Sequence, residues 1–88
     1  MEFERGRVVR SRAGRDGNGF FVVLRSEEQS AVICDGRRRS LEHPKKKNLR
    51  HLSVTGTVLP EDQINTNREI RRALAPFEGV GPLSRRGG

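Results

Sequence analysis

Tryptophan and tyrosine are absent from these 88 residues, and phenylalanine occurs only at Phe3, Phe20, Phe21 and Phe77. A domain this small needs at least two of those rings for its core, so all four are assigned to packing. That excludes a platform on which successive unpaired bases stack. The single cysteine, Cys34, excludes an internal disulfide and fits a reducing, cytoplasmic compartment. Between Ile33 and Asp35 in an apolar run, it reads as a small buried hydrophobe. Cys34, His43 and His51 have the wrong spacing for zinc. The longest apolar run, Phe20 to Leu24, is five residues against the roughly 18 that a spanning helix requires. The start, Met1-Glu2-Phe3-Glu4-Arg5, lacks the apolar stretch of a secretion signal. No Ser/His/Asp set, paired carboxylates or phosphate-binding glycine loop of the P-loop type is present. Glu27-Glu28 are neighbours in a turn, and their diverging side chains read as solvation. The expectation is a single small, non-enzymatic domain with no cofactor and no metal, acting as a monomer.

What is present is positive charge, unevenly placed. Eighteen basic residues against eleven acidic ones leave +7. The window Gly36 to His51 holds seven basic residues and one acid, a net +6, while the other 72 residues carry eleven basic and ten acidic, a net +1. A nearly neutral chain with one strongly basic window points to a polyanionic partner.

The first 55 residues carry strand signals. Arg5 to Ser11 reads as a first strand. The segment Ala13 to Gly19, with three glycines, Asp16 and Asn18, reads as a tight hairpin loop. Phe20 to Arg25 follows as a second strand; apolar at successive positions, it is expected to be covered on both faces. Ala31 to Cys34 is a third strand. Asp35-Gly36 is a hairpin signal, leading into a fourth strand from Arg37 to Glu42, with Leu41 facing the core and Pro44 ending it. Asn48 to Thr55 reads as a fifth strand, although the three-residue spacing of Leu49 and Leu52 marks a bulge or one helical turn. Thr66-Asn67-Arg68-Glu69 is a capping box, and Ile70, Ala73 and Leu74 lie on one helical face. Pro76 is expected to stop this helix at Ala75. The division is then 1–58, a mainly β domain forming a small, strongly bent five-stranded barrel; 59–75, a linker and short docking helix; and 76–88, a flexible tail containing Arg85-Arg86.

The stretch from Glu4 to Leu24, with Gly6, Gly14 and Gly19 at its turns, resembles a KOW motif: a strand, a glycine-centred loop and a second strand. Asn18 stands where such loops often carry lysine. With Val32-Ile33-Cys34-Asp35-Gly36, Leu41, Pro44, Lys45 to Lys47 and Leu49-Arg50-His51-Leu52, the chain from about residue 3 to 75 is similar to small bacterial KOW-domain RNA-binding proteins. These in turn resemble the L-fourteen-e family of large-subunit ribosomal proteins. The resemblance implies an SH3-like barrel that binds ribosomal or other structured RNA, without catalysis or cofactor.

The candidate RNA-binding residues are Arg12, Arg15, Arg37, Arg38, Arg39, Lys45, Lys46, Lys47 and Arg50. Guanidinium forks bind phosphate in bidentate fashion, whereas lysines act as hydrated point charges. For Arg37 to Arg39 the other reading is an edge strand blunted with charge; for Lys45 to Lys47 it is a solvated loop. The Gly14–Gly19 loop either presents backbone N–H groups to a phosphate or is a plain hairpin. The helix, with Arg68, Arg71 and Arg72, either closes the barrel or adds a second contact. The expected partner is RNA, ribosomal RNA first, with ribosomal proteins second. A module of the transcription-factor type, docking on RNA polymerase or a ribosomal protein through an apolar barrel surface, is the alternative.

Overall fold

A computed structural model describes residues 2–12 and 19–79. It is mainly β: β1 (Arg7–Ser11), β2 (Phe20–Ser26), β3 (Ser30–Cys34), β4 (Lys45–Asn48), β5 (Leu52–Val58) and one helix, α1 (Asn67–Gly79). The strands form one antiparallel sheet in the order β4-β3-β2-β1-β5.

Register divides the apolar residues between the two faces. Val8 pairs with Val22 and Val22 with Cys34; Val9 pairs with Phe21 and Val23 with Ile33. Directly opposed residues share a face, and successive residues alternate. Val8, Val22 and Cys34 therefore pack with Leu59, Ile64, Ile70 and Leu74 on one side. Val9, Phe21, Val23, Ala31, Ile33 and Leu52 form a second cluster on the other, edged by Phe3 and Leu49. The unbroken apolar run of β2 is explained by this double coverage, as its sequence predicts.

The sheet curls. β4 and β5 lie at opposite edges, which in a flat five-stranded sheet would be about 19 Å apart, at about 4.8 Å per strand step. Only a 3-10 turn, Leu49–His51, separates them. The four steps from Asn48 to Leu52 reach at most about 14 Å. That turn also ties the two edges together: Leu49 N donates to Gln29 O at 3.0 Å, and Arg12 N donates to His51 O at 2.8 Å. Register shifts between Arg7 and Val9 and between Val23 and Arg25 assist the bend. Among the described residues no ladder joins β4 to β5. The helical turn foreseen from the Leu49–Leu52 spacing is present, and β5 begins after it at Leu52 instead of at Asn48. β1 begins at Arg7, after Gly6 turns the chain with φ +96°.

Three expectations are corrected. Residues 37–42 form a turn, not a fourth strand, because Asp35 captures their backbone donors: Asp35 Oδ1 accepts from Arg37 N at 2.9 Å and Arg39 N at 3.0 Å. The fourth strand is Lys45–Asn48, so the three lysines lie on a strand and Pro44 precedes it. The helix passes through Pro76 to Gly79, four residues beyond the expected stop at Ala75. A proline inside a helix loses one hydrogen bond. Here the helix continues because Phe77 packs against the first core cluster, its ring 5.6 Å from that of Phe20. Residues 76–79 are therefore helix and not tail; 80–88, including Arg85 and Arg86, lie outside the described residues.

Thr66 caps α1 as foreseen, its Oγ1 accepting from Glu69 N at 3.1 Å. Glu69 does not return the bond, and its Oε1 is buried without a partner. Burial of Ile70 and Leu74, about 1.5–3 kcal/mol each, holds a helix that is too short to be stable alone.

Candidate nucleic-acid interface

The basic window opens with a rigid turn. Asp35 N and Gly36 N both donate to Arg39 O, at 2.8 and 3.2 Å, closing the loop that the Asp35 carboxylate braces from inside. Gly36 has φ +77°, and a Cβ there would lie 2.5 Å from Asn67 O. From the helix, Arg71 Nη1 donates to Gly36 O at 2.7 Å. Asn67 Oδ1 accepts from Leu41 N at 2.8 Å, and its Nδ2 donates to Glu42 Oε1 at 2.9 Å. The Asn67 hydrogen bond is the main reason that the Glu42 carboxyl titrates below its ordinary range. The result is a turn held by its own carboxylate and by α1, from which Arg37 and Arg38 project into solvent. Arg39 is half-buried in the same turn.

The lysines behave differently. In β4, Lys45 is opposite Ile33 and Lys47 opposite Ala31, so both share the face of the second core cluster and are half-buried. Lys46 points to the other face and is exposed, but its Nζ lies 2.8 Å from Glu27 Oε1. That hydrogen bond is the leading cause of the lowered pKa of Glu27. Glu27 is therefore a counter-charge to Lys46, not a free solvating residue, and also lies 4.0 Å from Arg25 Nε. The register carries the lysines away from the Arg37–Arg39 turn, down β4 toward the Glu27–Gln29 turn.

At the end of β1, Arg12 donates through Nη2 to Arg50 O at 2.8 Å, so these two candidates are neighbours. Arg50, exposed, follows Asn48, whose Oδ1 accepts from Arg50 N at 3.0 Å. Arg10, not singled out by sequence, sits over the Phe20 ring at 5.9 Å. Arg15 and the rest of the Gly14–Gly19 loop, up to Asn18, lie outside the described residues.

The arginines differ in how far they are neutralised. Arg5 pairs with Glu61, Arg7 with Glu4 and Arg25 with Glu27. Arg37, Arg38, Arg50, Arg68 and Arg72 are exposed, and among the described residues their guanidinium groups make no ion pair or hydrogen bond. The Arg5–Glu61 pair spans 56 residues and has no local signal, whereas Glu4–Arg7 and Arg25–Glu27 are pairs of near neighbours in sequence. Asn67 was read only as part of a capping box; its bonds to Leu41 and Glu42 span 26 and 25 residues and have no local signal.

Cys34 is buried, and burial pushes its thiol up to about 12. Burial and the raised pKa both disfavour the thiolate, the form that attacks or binds a metal, at neutral pH. Among the described residues no three of His, Cys, Asp and Glu converge as a metal site. No helix is long and apolar enough to cross a membrane. What the arrangement can do is meet anions with guanidinium groups carried on a braced turn. No protein-family model matches the chain, and no curated protein matches it.

Proposed function

We propose that this chain is a non-catalytic, cytoplasmic RNA-binding protein of the KOW type, associated with the ribosome, that holds structured RNA through phosphate contacts. The observation that carries the reading is the braced turn at Asp35–Glu42, which presents Arg37 and Arg38 without an ion pair among the described residues. A braced backbone need not be ordered when the turn meets a phosphate, so less entropy is lost on binding than from a mobile loop. Arg12 and Arg50 form a second basic point. The rings are occupied: Phe21 is buried, Phe20 stacks against Phe77, and Phe3 edges the second cluster. Recognition by shape and phosphate is favoured over reading of unstacked bases.

The test is sedimentation of a lysate through a density gradient at low salt and after a high-salt wash. Co-migration with the large ribosomal subunit that salt removes is the expected result. Absence from ribosomal fractions at low salt would remove the ribosome from the account.

One observation favours the protein-docking alternative. Val54 and Val58 on the edge strand β5 are 38% and 44% exposed. Between them Gly56 has nothing within 4 Å of the place where a side chain would be. If RNA polymerase or a ribosomal protein docks there, binding survives high salt and is lost in Val54→Asp.

A further inference from the structure

The Arg37–Arg38 turn does not stand alone, because α1 is fastened along its flank. At 100° per residue, Ile70, Ala73, Leu74 and Phe77 form the face toward the sheet. Asn67 and Arg71, next around the helix, face the turn and bond to Leu41, Glu42 and Gly36. Continuing in the same direction, Arg68 and Arg72 occupy the outer flank, and both are exposed. They are one helical turn apart, with Cβ atoms roughly 5–6 Å apart, a spacing at which like charges destabilise a helix. Arg72 shares a cleft of about 300 Å³ with Asp62, Gln63 and Glu69 but forms no ion pair with either carboxylate. Among the described residues the helix therefore carries two adjacent arginines that form no ion pair. In sequence they directly follow Asn67 and Arg71, the two helix residues that bond to the turn.

We propose that the turn and the helix form one continuous phosphate-binding ridge, Arg37 and Arg38 from the turn and Arg68 and Arg72 from α1, that seats the sugar–phosphate backbone of a folded RNA. The proposal rests on the RNA-binding reading above and extends it to the helix. The backbones that carry these four arginines, on two elements joined by Asn67 and Arg71, are held in fixed relation before the RNA arrives. Such pre-positioning favours a structured backbone over a flexible single strand. Contacts to phosphate carry no base information, so the ridge sets affinity and orientation, not sequence.

The experiment measures affinity of the full chain for purified large-subunit ribosomal RNA over a range of salt concentrations. It compares the parent with R37Q/R38Q and with R68Q/R72Q. All four residues are solvent-exposed and glutamine is a good helix former, so far-UV circular dichroism should be unchanged. Loss of two phosphate contacts lowers the magnitude of the log–log salt slope by about 1.4–1.8. That reduction is expected in each pair separately. If R37Q/R38Q lowers the slope and R68Q/R72Q leaves it at the parental value, the ridge is overturned while the RNA-binding reading stands. If the parent shows no salt-dependent binding, both fall together.

Discussion

Asn67, the first residue of α1, holds Leu41 across the seam between helix and turn: its side-chain oxygen accepts the Leu41 N–H at 2.8 Å. The two residues are 26 positions apart, and this bond joins the basic turn to the hydrophobic core. Leu41 N has no other partner, so Asn67→Ala leaves a half-buried amide unsatisfied. A loss of about 1–3 kcal/mol is expected. Urea unfolding followed by circular dichroism reads it; an unchanged midpoint would mean that the seam is held by something else.

Gly36 has a backbone that side chains resist. Its φ of +77° and the approach of Asn67 O leave no room for a Cβ. Gly36→Ala should destabilise by about 1–3 kcal/mol. Gly56, with open space around it, provides the comparison: Gly56→Ala should be neutral or slightly stabilising in the same thermal melt. Equal effects at the two sites would refute this account of the turn.

Much of this architecture is legible in the sequence, and the part that is not has a common cause. The run Phe20 to Leu24 predicts a strand covered on both faces, and the register of β2 supplies the two clusters. Ile70, Ala73 and Leu74 predict the docked face of α1, and Leu49 with Leu52 predicts the helical turn before β5. The reading of 37–42 as a strand fails because Asp35 takes up the backbone donors. The competition between a side-chain acceptor and a ladder is decided locally, and Asp35-Gly36 in sequence signals a hairpin just as well. The stop at Pro76 fails because Phe77 finds Phe20, a contact across 57 positions that propensity does not encode. At the candidate site, sequence locates the positive charge but not its neutralisation. Lys46 and Glu27 are 19 positions apart and meet only because β3 pairs with β4.

That ion pair sets a ranking among the basic residues. Lys46→Ala should change affinity for RNA less than Arg38→Ala, because the lysine already has a partner and, among the described residues, the arginine's guanidinium has none. Glu27→Gln, by releasing Lys46, should steepen the salt dependence by up to about 0.9. Fluorescence anisotropy with a labelled ribosomal RNA fragment distinguishes the variants. Equal losses at Lys46 and Arg38 would place the lysine in the interface after all.

Acid should weaken the fold. Glu4, Glu27 and Glu42 all have pKa values below their ordinary 4.5, through hydrogen bonds to the charged form. A carboxyl with a depressed folded pKa stabilises the native state above pH 4.5; that contribution disappears as pH falls through the lowered value. The melting temperature should therefore be flat from neutrality to about pH 4.5 and fall below it, less steeply in Glu42→Gln. A melting temperature that rises on acidification would reverse the sign and contradict these assignments.

Cys34 should be chemically silent in the native protein. Its burial and raised pKa of about 12 leave almost no accessible thiolate at pH 8. Labelling by iodoacetamide should be negligible in buffer and complete in denaturant, as mass spectrometry would show. Rapid native labelling would mean that β3 is not seated against α1.

The central claim is that uncompensated arginines bind RNA phosphates. The most direct measurement is the affinity of the unmodified chain for purified large-subunit ribosomal RNA as a function of salt. With about five phosphates engaged, a log–log slope near −3.5 to −4.5 is predicted. Binding that does not vary with salt, or no binding at low salt, would contradict the account.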